Sequence, residues 1–162
     1  MPRLASLFSM LSLAVLASCT AFDQRWEATR PPMTVDPVAG LAGKWEGTWQ
    51  SDATNYNGHL QAIIVPTSKV MVDHVEGQGY RADFKQRLFE LASNEYDVKL
   101  TATTLPDGRI HFEGKKDLGF YNGGIVHFDG YIYPEKDEFY ADYNSDKDVG
   151  TFKMRRITLE NQ

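Results

Sequence analysis

The chain has 162 residues, a formal net charge of −5 and 42% hydrophobic residues. That length is one ordinary domain, and its acidic balance argues against nucleic acid as a partner and against electrostatic attraction to anionic lipid. A single cysteine, Cys19, excludes an intramolecular disulfide, so the fold must rest on its core, which three Trp, eight Tyr and nine Phe are numerous enough to build.

The chain opens with one positive charge, Arg3, and an apolar run from Leu4 to Leu16 broken only by serines and Met10. A charged start, a short apolar stretch and small residues before a cut make a secretory signal, and the run is too short to span a bilayer. Leu16-Ala17-Ser18-Cys19 resembles the lipobox of bacterial lipoproteins, an aliphatic residue and two small ones before a cysteine. The resemblance implies that residues 1–18 are a signal peptide cut away and that Cys19 becomes acylated on its thiol, as by palmitate, and on its new amino terminus. The mature chain would then sit on the bacterial cell envelope. Thr20 after the cysteine, rather than Asp, implies the outer membrane more than the inner. Each buried methylene adds about 0.8 kcal/mol, so several chains make the attachment effectively permanent. Arg3 is the only charge among residues 1–18, so its loss takes the formal charge from −5 to −6.

Residues 19–40 read as the acylated cysteine and a flexible tether. They contain Pro31-Pro32 and Pro37 and no apolar periodicity. Such a coil spans roughly 25 Å. Phe22 and Trp26 are exceptions, suited either to the lipid interface or to packing back on the domain.

Residues 41–162 follow period two with turn residues at regular intervals, which predicts an antiparallel all-β domain. The first strand is Lys44 to Ser51, with Trp45, Gly47 and Trp49 on one face. The second is Gly58 to Val65, stopped by Pro66, and a short third follows near Val70 to Val75. Tyr80, Ala82 and Phe84 alternate. Phe84, Leu88 and Leu91 also fit helical spacing, so a helical turn competes there. Tyr96, Val98, Leu100 and Ala102 alternate up to the turn Leu105-Pro106-Asp107-Gly108, where Pro presets φ and Gly accepts the left-handed conformation. Ile110 and Phe112, then Val126, Phe128 and Ile132, then Phe139, Ala141 and Tyr143 mark further strands. Asn144 to Asp148 is a polar hairpin loop, and Phe152, Met154 and Arg156 share a face of the last strand. About eight short strands suit an up-and-down β-barrel, which removes exposed edges; a two-sheet β-sandwich is the alternative.

Gly43-Lys44-Trp45 on the first strand and Arg155-Arg156 on the last resemble the lipocalin, or wider calycin, pattern. The resemblance implies a barrel whose Trp45 lies across the closed end, with Arg155 or Arg156 packed over its ring. A guanidinium on an indole is a cation–π contact that joins the two strands.

His59, His111 and His127 point away from the apolar faces of their strands. A turn centred near Gly119 would set His111 opposite His127, about 5 Å apart, close enough to share a metal. No HxxxH, HExxH or cysteine partner supports this, and surface histidines are the plainer reading. Asp142 to Asp148 resembles a calcium loop in its alternating oxygens, yet Lys147 and Lys153 stand where glycine and the closing acid belong. A polar turn is the better reading. No GxSxG elbow is present, Asp73-His74 is merely adjacent, and no carboxylate pair stands out, so neither an enzyme, a metal nor a cofactor is expected.

Trp49, Tyr80, Phe84, Phe112, Phe128 and Tyr143 are the candidate wall of an apolar ligand site. The function expected is a lipid-anchored envelope protein binding a small hydrophobic ligand. The alternative is a filled barrel that contacts an envelope protein or glycan through loops such as Asn55 to Gly58 or Tyr121 to Gly124.

Overall fold

The computed structural model describes residues 20–32, 40–88, 92–119 and 124–160. The leader and Cys19 lie outside these, as do residues 121–123 of the Tyr121–Gly124 tip. A short helix, α1 (Ala21–Ala28), precedes eight strands: β1 (Gly43–Ser51), β2 (Asn57–Val72), β3 (Val75–Leu88), β4 (Ala92–Thr104), β5 (Ile110–Asp117), β6 (Ile125–Tyr133), β7 (Glu138–Asn144) and β8 (Val149–Arg156). Each strand pairs antiparallel with the next, and β8 returns to β1, so the sheet is a closed up-and-down barrel. The sandwich alternative is excluded.

The alternation in sequence becomes alternation of faces. In β8 every second residue from Gly150 to Arg156 is buried, and the residues between are exposed. The inward rows form one continuous core that includes Trp45, Leu60, Val98, Ile132, Phe139 and Met154.

Two local readings change. Pro66 does not stop the second strand. It sits where the β2–β3 register shifts, between Pro66 and Lys69, and a bulge needs no amide donor at that point. The short strand expected near Val70 to Val75 is therefore the far end of β2, joined to β3 by the two-residue turn Asp73-His74, both with positive φ. The helical turn competing at Phe84 to Leu91 is absent up to Leu88, which pairs with Ala92 as strand. Residues four apart share a face in a strand as well as in a helix, so Phe84 and Leu88 could not discriminate. Residues 89–91 lie outside the description.

One end of the barrel is closed by the elements the sequence pairs. Trp45 is fully buried, and its Nε1 donates to the Leu41 carbonyl at 2.9 Å. The Arg156 guanidinium lies 4.4 Å over the Trp45 ring. Its Nε donates to Asp137 at 3.0 Å, and its terminal nitrogens donate to the carbonyls of Gly40 and Ala42. Arg155 is one residue out of phase and faces outward, so the partner of Trp45 is Arg156. Gly43 explains the glycine of the Gly-x-Trp pattern. Its φ of +134° is one that side-chain-bearing residues rarely adopt.

The flexible tether is corrected over its first part. Thr20 caps α1 by accepting from the Asp23 amide, and the Asp23 carboxylate accepts in return from Thr20. Eight residues make a marginal helix alone, so its stability must come from docking. Phe22 is 1% exposed, a burial that stabilises by about 2 kcal/mol. α1 lies on the outer face of β1 and β3, where it accounts for the burial of two lysines. Lys44 donates to the Trp26 carbonyl at 2.9 Å and sits 4.3 Å over the Trp26 ring. Burial lowers its pKa, opposed by Glu27 and Glu46. Lys85 holds both Asp23 oxygens at 2.6 Å.

That last pair makes docking pH-dependent. The Lys85 hydrogen bonds, aided by Thr20, hold the Asp23 carboxyl below its ordinary 3.8. A depressed folded value means the contribution is complete above about pH 4 and is lost as pH falls through the lowered value. Amide exchange in α1, corrected for intrinsic rates, is expected to speed up selectively below that point. Asp23→Asn should show the faster exchange already at neutral pH; an unchanged α1 in that variant would contradict the docking account.

Candidate functional site

The strand directions sort the connections into two sets. The β2–β3, β4–β5 and β6–β7 turns lie at the closed end with Trp45. The β1–β2 and β7–β8 connections lie at the other, with the ends of β3 and β5 and the starts of β4 and β6. Filling differs between the ends. In the closed half, Phe139 packs on Trp45 at 4.9 Å, and Phe112 meets Phe139 edge-on at 5.3 Å. Tyr80 belongs to the same half, since its hydroxyl closes the space beside Gly40.

Above this, Phe84 joins an aromatic layer. Its ring stacks against Tyr96 at 5.4 Å and Phe128 at 6.3 Å, and tilts against Phe152 at 5.9 Å. Over that layer the barrel is hollow. A cavity of about 370 Å³ opens at this end, within the range that takes small molecules. Trp49, Leu88, Val126, Phe128 and Phe152 supply its apolar walls. Trp49 is fixed by its Nε1, which donates to the Arg87 carbonyl at 3.2 Å. Gly58 lets the indole lie there: a Cβ at that position would stand 2.7 Å from Nε1.

Polar groups gather on one side. Asp148 accepts from Ser51 Oγ at 2.7 Å and from the Tyr143 hydroxyl at 2.8 Å, and Ser51 Oγ accepts from Thr54. Burial, then the Asp148 carboxylate, pushes the Tyr143 phenol well above its ordinary value, so it stays a neutral donor. Tyr96 is different. It lines the cavity, burial and the nearby Tyr143 raise its pKa, and no described residue hydrogen-bonds its hydroxyl. The site thus offers apolar walls, a fixed Tyr143–Asp148–Ser51 cluster and one phenol that no described residue engages.

Of the six residues expected to form a ligand wall, Trp49, Phe128 and Tyr143 line the cavity, while Phe84 lies behind that lining, packed on Tyr96, Phe128 and Phe152. Tyr80 and Phe112 do not reach it; they face inward, but in the filled half. Tyr96, Phe152, Leu88, Val126 and Asp148 were missed as site residues. Tyr96 and Phe152 stood in inward rows of the sequence pattern, and only the strand register sets their height in the barrel.

The metal and calcium readings meet their geometry here. Residues of β5 and β6 pair around a point two residues beyond Gly119, so His111 faces Tyr131 and His127 faces Lys115. His111 contacts Asp129 at 3.1 Å on the outer wall. The Asp148 oxygens are engaged by Ser51 and Tyr143, and Asp142 lies within β7 opposite Thr151. Among the described residues no three of His, Cys, Asp or Glu gather where they could hold a metal. No described helix is long and apolar enough to cross a membrane.

No family model matches the chain, and neither a curated protein nor a solved structure matches it.

Proposed function

We propose that this chain is a lipid-anchored bacterial envelope protein that binds a small, mainly apolar ligand in the open end of its barrel. The observation that carries the ligand reading is the contrast between the two halves: aromatic packing fills one, while the other keeps a cavity of about 370 Å³ lined by Trp49, Tyr96, Phe128 and Phe152. Interiors are ordinarily close-packed, so inward apolar walls left uncovered at one end of a barrel argue for an occupant. A hollow end also speaks against a filled platform that works only through its loops. The anchor reading rests on the leader and on Leu16-Ala17-Ser18-Cys19.

Binding energy would come from burying apolar surface at about 25 cal/mol per Å². Tyr96 would orient a ligand with one polar group, because a hydroxyl that no described residue engages loses hydration unless the ligand replaces it. The test is a titration of the mature chain with single-chain amphiphiles and with plain hydrocarbons, followed by tryptophan fluorescence from Trp49. Tyr96→Phe is expected to weaken a polar-headed amphiphile by roughly fivefold to tenfold, the worth of one hydrogen bond, and to leave hydrocarbon binding unchanged. An absence of saturable uptake of either class would overturn the reading.

A further inference from the structure

We infer that the cavity takes a cationic amphiphile, an alkyl chain with a protonated amine head, and that Asp148 is the carboxylate that receives the amine. The inference deepens the proposed function and rests on its ligand reading; the head group is what it adds. Three observations support it.

The first is the charge of the lining. Among the described residues that line the cavity, Asp148 carries the one charged side chain. Its charge is not balanced from close by. Arg87 and Lys147 adjoin lining residues in sequence, but both are exposed and line none of the cavity. Lys116 stands opposite Val126 of the wall in the β5–β6 register, yet it donates to Asp97 at 2.8 Å, outside the lining. Asp52 adds a second negative charge, close enough to act with Asp148 on the Tyr143 phenol. An anionic head group would enter against this field, whereas a cation is drawn in by it.

The second is how Asp148 is held. One oxygen accepts from Ser51 Oγ at 2.7 Å and the other from the Tyr143 hydroxyl at 2.8 Å. Both donors are neutral, so they aim the carboxylate without neutralising it. Ser51 and Tyr143 are themselves buried, which fixes the aim. An ionised carboxylate offers about four lone-pair sites, so acceptor capacity remains for an incoming N–H. A charge-assisted bond there is roughly twice as strong as a neutral one.

The third is the aromatic setting. Tyr143 packs on Phe152 at 5.2 Å, and the β1–β8 register sets Phe152 opposite Trp49. All three rings line the cavity together with Asp148. Ring faces attract a cation and give an anion nothing in return. The Tyr96 oxygen lies near enough to Tyr143 to feel it, and it can accept a second ammonium N–H. Leu88, Val126 and Phe128 are left for the alkyl chain.

Calorimetric titration of the mature chain with octylammonium, octanol and octanoate at neutral pH compares one alkyl chain under three heads. In about 1 M salt the screening length is about 3 Å, so attraction to the acidic surface at large is suppressed while a contact pair survives. The ammonium is expected to bind at least about tenfold tighter than the alcohol, and the carboxylate at least about tenfold weaker, the scale of a charge-assisted hydrogen bond. Asp148→Asn should bring ammonium and alcohol within about twofold of each other. Asp146→Asn removes an exposed acid of the same loop and should leave their ratio unchanged. Melting curves show whether both variants are folded, and the comparison of heads on the unsubstituted chain stands without them. Four results would overturn the inference and leave the ligand reading in place: an alcohol that binds as tightly as the ammonium, a carboxylate that binds best, an ammonium preference undiminished in folded Asp148→Asn, or an equal loss in Asp146→Asn. Saturable binding of none of the three would overturn both.

Discussion

Arg156→Met is expected to cost about 3–5 kcal/mol of stability, the range for removing one partner of a buried ion pair. For a domain of this size that is a fall of roughly 10–15 °C in the unfolding midpoint. The Arg156 and Asp137 side chains are 3% and 9% exposed, so neither ion can turn to water when the other is lost. Asp137 already has one oxygen, Oδ2, without a hydrogen-bond partner. It would retain a buried carboxylate with no cation, while the carbonyls of Gly40 and Ala42 would lose their donor. The cation–π contact with Trp45 goes as well, at about 1 kcal/mol. Adding Asp137→Asn should recover part of the loss, because it removes the buried charge and tolerates the positive φ of 54° at that position. Arg155→Met is the control. It faces outward, so its effect should stay within about 0.5 kcal/mol. Equal effects of the two substitutions in thermal and denaturant melts would show that the closed end is not organised around Arg156.

Phe84→Ala should act on stability and on ligand choice together. Truncating a buried phenylalanine costs about 3–5 kcal/mol through lost transfer energy and the cavity left behind. Phe84 is 3% exposed and touches three aromatic rings, so little repacking can close the gap. The three rings it packs on, Tyr96, Phe128 and Phe152, line the cavity, so the vacated space is expected to open into it and deepen it. A ligand with a longer alkyl chain should then gain about 0.8 kcal/mol per added methylene, roughly fourfold in affinity each, until the new floor is reached. The unsubstituted chain should show no such gain beyond its own floor. Calorimetric titration with a homologous amphiphile series reads the difference. An unchanged preference for chain length would mean that Phe84 does not set the depth of the site.

The contrast between these two positions shows what the sequence could yield. Period-two alternation exposed nearly every strand, because one buried face is written as every second residue. Trp45 and a late arginine were legible as barrel-closing residues, and choosing Arg156 over Arg155 needed only the phase of Phe152 and Met154. Height within the barrel was not legible. Tyr80, Phe84, Phe112 and Tyr96 all face inward, yet which of them meets the cavity depends on how far each strand is displaced along its neighbour. That displacement is the pairing register, as between β5 and β6, where a pairing centre two residues beyond Gly119 separates His111 from His127. α1 was hidden for a different reason. Its eight residues carry only Phe22 and Trp26 as an apolar stripe, and the helix forms because Lys44 and Lys85 wait on the barrel to receive it. The Thr20–Asp23 spacing of a capping box was its one readable mark.

The central claim is that the open end holds a small apolar molecule. Native mass spectrometry of the mature chain, before and after organic extraction, tests it most directly. The account predicts a co-purifying mass of a few hundred daltons that extraction removes and an envelope lipid extract restores, with the restored mass reduced in Tyr96→Phe. A bare protein mass that takes up nothing from that extract would contradict it.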